Sequence, residues 1–154
     1  MPCGRMPALP LRAHNLLCLL GYRGRGYDAA FVAAMTAVHR ALHADPDTDV
    51  LVQATPDVLC RSCPNLATTG CTLGGPTHEV HMRAQDLDVI ARLGLLEGRT
   101  YPWREILARV AARLRGADLP GICTTCPWLS LGWCAEGIER VRVGQPPAPP
   151  GCAP

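Results

Sequence analysis

This 154-residue chain is poor in several things, and each shortage removes a class of explanation. Aromatic residues make up only 5%, so aliphatic side chains and alanine-rich helix packing are expected to fill the core. Blocks of like charge are missing. A formal net charge of +2 and a pI near 8.1 are too mild to argue for nucleic acid or an anionic membrane. The best apolar run, LLCLL at 16–20, falls far short of the ~20 residues that span a bilayer. The start, MPCGRMPALP, lacks the apolar stretch of a secretory signal. A cytoplasmic protein is therefore expected, in a compartment that keeps thiols reduced. No glycine-rich phosphate loop, nucleophile elbow or Cys-x3-Cys-x2-Cys of radical-SAM chemistry occurs. Asp86 and Asp88 fall on different helix faces, so they do not form a carboxylate pair.

Cysteine, by contrast, is abundant. Nine thiols, an odd number, in a reducing compartment point to metal ligation rather than a disulfide framework. Six of them form two frames of identical spacing, Cys-x2-Cys-Pro-x-Leu followed by a third cysteine: Cys60, Cys63 and Cys71, then Cys123, Cys126 and Cys134. Leu66 and Leu129 occupy matched positions, and Gly70 and Gly132 each come shortly before the last cysteine. A two-residue gap lets both sulfurs reach one metal while the later cysteine folds back from the other side. Cys3 and Cys152 lie in proline- and glycine-rich ends, where ordering a ligand costs entropy without packing in return, and are set aside.

The periodicity predicts a mainly α, single-domain helical fold with one short strand or hairpin. Residues 1–10 form a disordered start, 11–143 the metal-binding domain, and 144–154 a disordered proline-rich tail. Helices are expected over 14–20, over 28–44 with Asp28 as N-cap and Phe31, Met35, Val38 and Leu42 inward, and over 77–94 with Val80, Ala84, Leu87 and Ala91 inward. Two more are expected over 100–116, with Trp103, Ile106, Val110 and Leu114 inward, and over 135–142. The one strand is placed at 50–54, and the cysteine frames fall on the links between helices.

Three thiolates leave each frame one ligand short of four. His14 and Cys18, at i and i+4 on one helix face, are the candidates; they could serve one site together or one each of two adjacent sites. A rival closure joins His78 and His81 to Cys60 and Cys63, but the His-x2-His gap is short and strands Cys71, so solvated histidines are expected there. His39 and His43 are expected on a solvent face. Four-cysteine or three-cysteine-plus-histidine sets suit zinc. The Cys-Pro steps, the thiolate richness and the apolar Trp128, Leu129, Leu131 and Trp133 favour an iron–sulfur cluster, expected as 4Fe-4S, one or two.

The blocks LRAHNLLCLLGYRGRGYDAAFVAAM, CRSCPNL, LGLLEGRTYPWREIL and CTTCPWLSLGWCAEG together resemble a small bacterial and archaeal family of unknown function (DUF1284-like) regarded as binding iron–sulfur clusters. The resemblance runs from about Leu11 to Arg140. It implies Cys18, Cys60, Cys63, Cys71, Cys123, Cys126 and Cys134 as ligands, together with His14, and no assigned reaction. Members often carry a second histidine where this chain has Asn15. The expected function is cytosolic electron transfer to a redox protein partner, with no membrane and no clear nucleic-acid partner. The alternatives are a structural zinc domain that mediates macromolecular interaction, and an enzyme with a three-cysteine cluster whose open iron acts as a Lewis acid. For the last, Arg23 and Arg25 in GYRGRGYD are the candidate anion grip.

Overall fold

Hydrophobic periodicity becomes geometry first in α2 (Ala29–Ala44), whose N-cap Asp28 accepts a 2.8 Å hydrogen bond from the Phe31 amide. Phe31, Met35, Val38 and Leu42 are buried along it, as the spacing predicts, and His39 joins them. The computed structural model describes residues 6–147; Cys3 and Cys152 lie outside the described residues, as do the outer parts of both ends expected to be disordered. Among the described residues there are six α-helices and five short strands, the mainly α architecture expected from the sequence.

β1 (Leu9–Arg12) runs straight into α1 (Ala13–Gly21) and begins inside the stretch expected to be disordered. It pairs in parallel with β2 (Asp49–Gln53), Leu9 opposite Val50, and β5 (Thr100–Pro102) pairs antiparallel with the other side of β2. A three-stranded sheet thus replaces the single strand expected. Pro10 hid the first strand from the sequence pattern; it is tolerated because β1 is an edge. β3 (Leu66–Ala67) and β4 (Gly70–Cys71) form a separate two-stranded hairpin.

α4 (Trp103–Arg113) starts after Pro102 rather than at residue 100, because Thr100 and Tyr101 are used by the sheet; Trp103, Ile106, Val110 and Leu114 are buried as expected. α5 (Leu119–Ile122) is a single turn, and α6 (Trp133–Arg142) closes the fold. The core is aliphatic: Leu16, Leu20, Val50, Val52, Ile106, Val110 and Ile138 expose no surface, each worth roughly 1.5–3 kcal/mol of burial.

α3 (His78–Leu93) turns a different face inward from the one expected. Val80 is 76% and Leu87 40% exposed, while Met82, Gln85, Asp86, Val89, Ile90 and Leu93 are buried. The inward face is chosen by Asp86, which accepts from Arg12 Nε at 2.7 Å, and by Glu79, which takes both terminal nitrogens of the same guanidinium at 2.8 Å. A polar attachment outweighs an apolar stripe.

α1 and α6 pack backbone to backbone. A Cβ on Gly137 would lie 2.2 Å from the Leu20 carbonyl oxygen, and one on Gly21 would lie 2.4 Å from the Cys134 amide nitrogen. No side chain larger than hydrogen fits at either point. This seam carries Cys18 to Cys134.

Candidate metal centre

The two frames fold into the same pair of turns. The amide of Cys63 donates to the Cys60 carbonyl at 2.9 Å, and that of Cys126 to the Cys123 carbonyl at 3.2 Å. The Leu66 amide then donates to Cys63 O at 3.2 Å, and the Leu129 amide to Cys126 O at 3.3 Å. Proline after the second cysteine has no amide to compete for these carbonyls, which is why the Cys-Pro step recurs. After the matched leucines the frames part. The first forms the β3–β4 hairpin, with Leu66 opposite Cys71. The second makes a 3-10 turn over Leu129–Leu131 and, at Gly132 (φ 74°), swings into α6, so that Cys134 lies on a helix rather than on a link.

The first frame is mounted on buried charge. Asp57, 2% exposed, accepts the amides of Leu59 and Cys60 at 2.9 and 3.0 Å and holds that turn in place. Its other oxygen accepts the Arg12 amide at 2.7 Å and the Asn15 side-chain amide at 2.9 Å. Arg12, 1% exposed, links this loop to α3 through Glu79 and Asp86. Burial works against its charge, but the hydrogen bonds and attraction from Glu79 and Asp86 outweigh that and hold its pKa above the ordinary value. Asn15, 8% exposed, serves as a buried strut through its bond to Asp57. Nothing in the local sequence marks Asp57 or Glu79, and Asp86 stands out there only as a carboxylate that does not pair with Asp88.

All seven described cysteines, together with His14, border a single cavity of about 120 Å³. None is in a disulfide. The thiols feel one another: burial raises the Cys18 pKa well above its ordinary value, helped by Cys134, Cys123 and Cys126. Burial with Cys126 and Cys123 nearby pushes Cys134 up to about 12, and burial with Cys126 pushes Cys123 up to about 11. In the first frame burial and Asp57 push Cys60 up to about 12, and burial, with Cys71 adding, raises Cys63. Cys18 lies one turn before Gly21, whose Cα packs on the Cys134 backbone, and so stands with the second frame. Tyr27 stands between the frames: burial raises its hydroxyl pKa, and so do Cys18, Cys63, Cys126 and Cys71.

Aromatic side chains wall the cavity, with Tyr27 4.6 Å from Trp128 and 5.1 Å from Phe31 between ring centroids. Trp128 and Trp133 border it as expected of a shield; Leu129 packs on the core beside them, and Leu131, 36% exposed, turns outward. Arg23 lies over the Trp133 ring and pairs with Glu136, while Arg25 is exposed at the cavity edge.

His78 and His81 are not on the cavity wall. Their rings stack at 5.2 Å, and His78 packs against Gly74, buried rather than solvated. His39 is likewise buried, 5.6 Å from Tyr22, with only His43 on the exposed side expected for both. Among the described residues no three His, Cys, Asp or Glu side chains stand as a ready chelate for a single ion; the thiols border a shared volume instead. No helix among the described residues is long and apolar enough to cross a membrane.

No curated protein and no solved structure matches the chain. A family model described as "Protein of unknown function (DUF1284)" matches residues 26–132, which take in both Cys-x2-Cys turns and Cys71 and stop short of α1 and Cys134. With most of its length matched, the chain belongs to that family of proteins of unknown function.

Proposed function

We propose that the protein is an iron–sulfur protein whose cavity holds a cluster on Cys18, Cys123, Cys126 and Cys134, with the Cys60–Cys63–Cys71 frame facing it as a second thiolate set. What carries this reading is the convergence of seven thiols on one cavity, with the α1–α6 seam bringing Cys18 beside the second frame. The donor set fits the group. Soft thiolates select iron–sulfur clusters, zinc or cuprous ions over hard cations. Buried thiols pushed up to about 11 and 12 do not ionise unaided at neutral pH, so a bound positive group would have to draw off their protons. When bound, a cluster supplies reversible one-electron chemistry.

The chain's own residues do the rest. The Gly21–Gly137 seam sets the separation of Cys18 from Cys134. Tyr27, Phe31, Trp128 and Trp133 wall the cavity and limit the access of water to the thiols, which governs both potential and lifetime of such a group. Electron exchange with a soluble redox partner is the role this arrangement supports best.

Anaerobic purification of the full chain, with iron, zinc and acid-labile sulfide assayed on the same sample and an absorption spectrum recorded, tests the reading. Sulfide in proportion to iron and broad absorption near ~400 nm are expected. A colourless protein with stoichiometric zinc and no sulfide would replace electron transfer by a structural zinc role. Cys18→Ser should lower iron and sulfide occupancy; undiminished occupancy removes Cys18 from the ligand set.

A further inference from the structure

We propose that His14 closes the Cys60–Cys63–Cys71 frame through its Nε2 atom, so that the cavity carries two unequal ligand sets, one of four thiolates and one of three thiolates and an imidazole. The inference rests on the metal-binding reading above and extends it to the frame left one donor short. Cys18 lies one turn before Gly21 on α1, and Gly21 packs directly on Cys134, so the seam assigns Cys18 to the second frame and no described thiol remains for the first. Of the five histidines only His14 borders the cavity.

Its ring is held as metal-bound histidines are held. Nδ1 lies 2.7 Å from Asp86 Oδ1, and the His14 backbone amide donates to the same oxygen at 2.9 Å. Asp86 exposes no surface, and its other oxygen accepts Arg12 Nε at 2.7 Å. A carboxylate already gathering N–H donors takes the Nδ1 proton as one more, which places the hydrogen on Nδ1 and leaves the Nε2 lone pair available. Asp86 is thus a positioning residue for His14, and Arg12 fixes Asp86. This accounts for a buried ion pair on α3 that no packing pattern required.

The substitution of imidazole for thiolate has a direction. It brings no negative charge to the first frame, where a thiolate would bring one. That raises the reduction potential of whatever cluster the first frame holds relative to the four-thiolate set.

The test uses the reconstituted full chain carrying 15N-labelled histidine, read by pulsed EPR of the reduced protein. A nitrogen coupling of directly bonded size is expected in the native chain and should be lost in both His14→Ala and His14→Cys. His14→Cys should retain the iron and sulfide that His14→Ala loses, with a lower midpoint potential than the native chain. Asp86→Asn should alter the coupling with the iron content retained. A cluster-loaded native chain without such coupling, or coupling that persists in His14→Cys, overturns the assignment while leaving the iron–sulfur reading intact. If the protein takes zinc and no sulfide, cadmium replacement and 113Cd NMR decide instead: one cadmium coupled to a histidine nitrogen upholds His14, and two all-sulfur resonances overturn it. A chain that takes up neither overturns both.

Discussion

The two cysteine frames share a spacing and a pair of hydrogen-bonded turns, yet they are held by opposite kinds of force. The first hangs on charge: Asp57 under the Cys60 turn, Arg12 behind it, and Glu79 and Asp86 on α3. The second hangs on contact: two glycines let α1 and α6 touch, and the cysteines follow the helices. Identical local sequence thus fixes only the turn. What aims the thiols comes from partners far along the chain, and those differ.

The sharpest way to break this contrast is Arg12→Ala. It leaves Asp86 and Glu79 without their cation, and removing one partner from a buried ion pair costs about 3–5 kcal/mol. Denaturant unfolding should show that loss, and the loaded chain should release metal from the first frame first. Gly137→Ala attacks the other mounting. Its Cβ would meet the Leu20 carbonyl oxygen at 2.2 Å, so the helices must separate, at about 1–3 kcal/mol by the usual cost of overpacking. Calorimetry should show a melting point lower by several degrees, and here Cys18 should drop out of the ligand set with the first frame spared.

A smaller effect is expected from Asn15→Ala, which removes one buried hydrogen bond to Asp57 and should cost about 1 kcal/mol by the same unfolding measurement. The least, at neutral pH, comes from the thiols of the metal-free protein. Ordinarily near 9.0, they sit at about 12 for Cys60 and Cys134 and about 11 for Cys123 when folded. Well below pH 9 folded and unfolded thiols are alike protonated and contribute no slope. As pH rises from there toward 11 and 12 the unfolded chain ionises first, so stability falls with pH. Unfolding free energies measured between pH 7 and 11 should be level and then decline, and Cys60→Ser should flatten the decline.

What the sequence made legible follows the same division. Asp28 as a cap and the inward faces of α2 and α4 could be read because cap chemistry and apolar spacing are local. So could the frames, since their turns close within a few residues. The charged mounting could not: Arg12 and Asp86 are 74 positions apart, and no periodicity links them. Two stripes competed on α3. The one containing Met82, Val89, Ile90 and Leu93 was the more apolar and was available to the eye, but Gln85 and Asp86 interrupt it. Of those interruptions, Asp86 holds Arg12 and His14, and Gln85 borders the cavity. On α2 the same kind of misreading put His39 in solvent, where burial beside Tyr22 overrides its polarity.

The contact of α1 with α6 joins one of the earliest helices of the chain to the last. During synthesis Cys18 leaves the ribosome long before Cys134 exists, and Gly137 later still. The cavity wall is therefore incomplete until α6 has been made, and whatever Cys18 and Cys134 border together can form only after α1 has waited for a helix more than a hundred residues downstream.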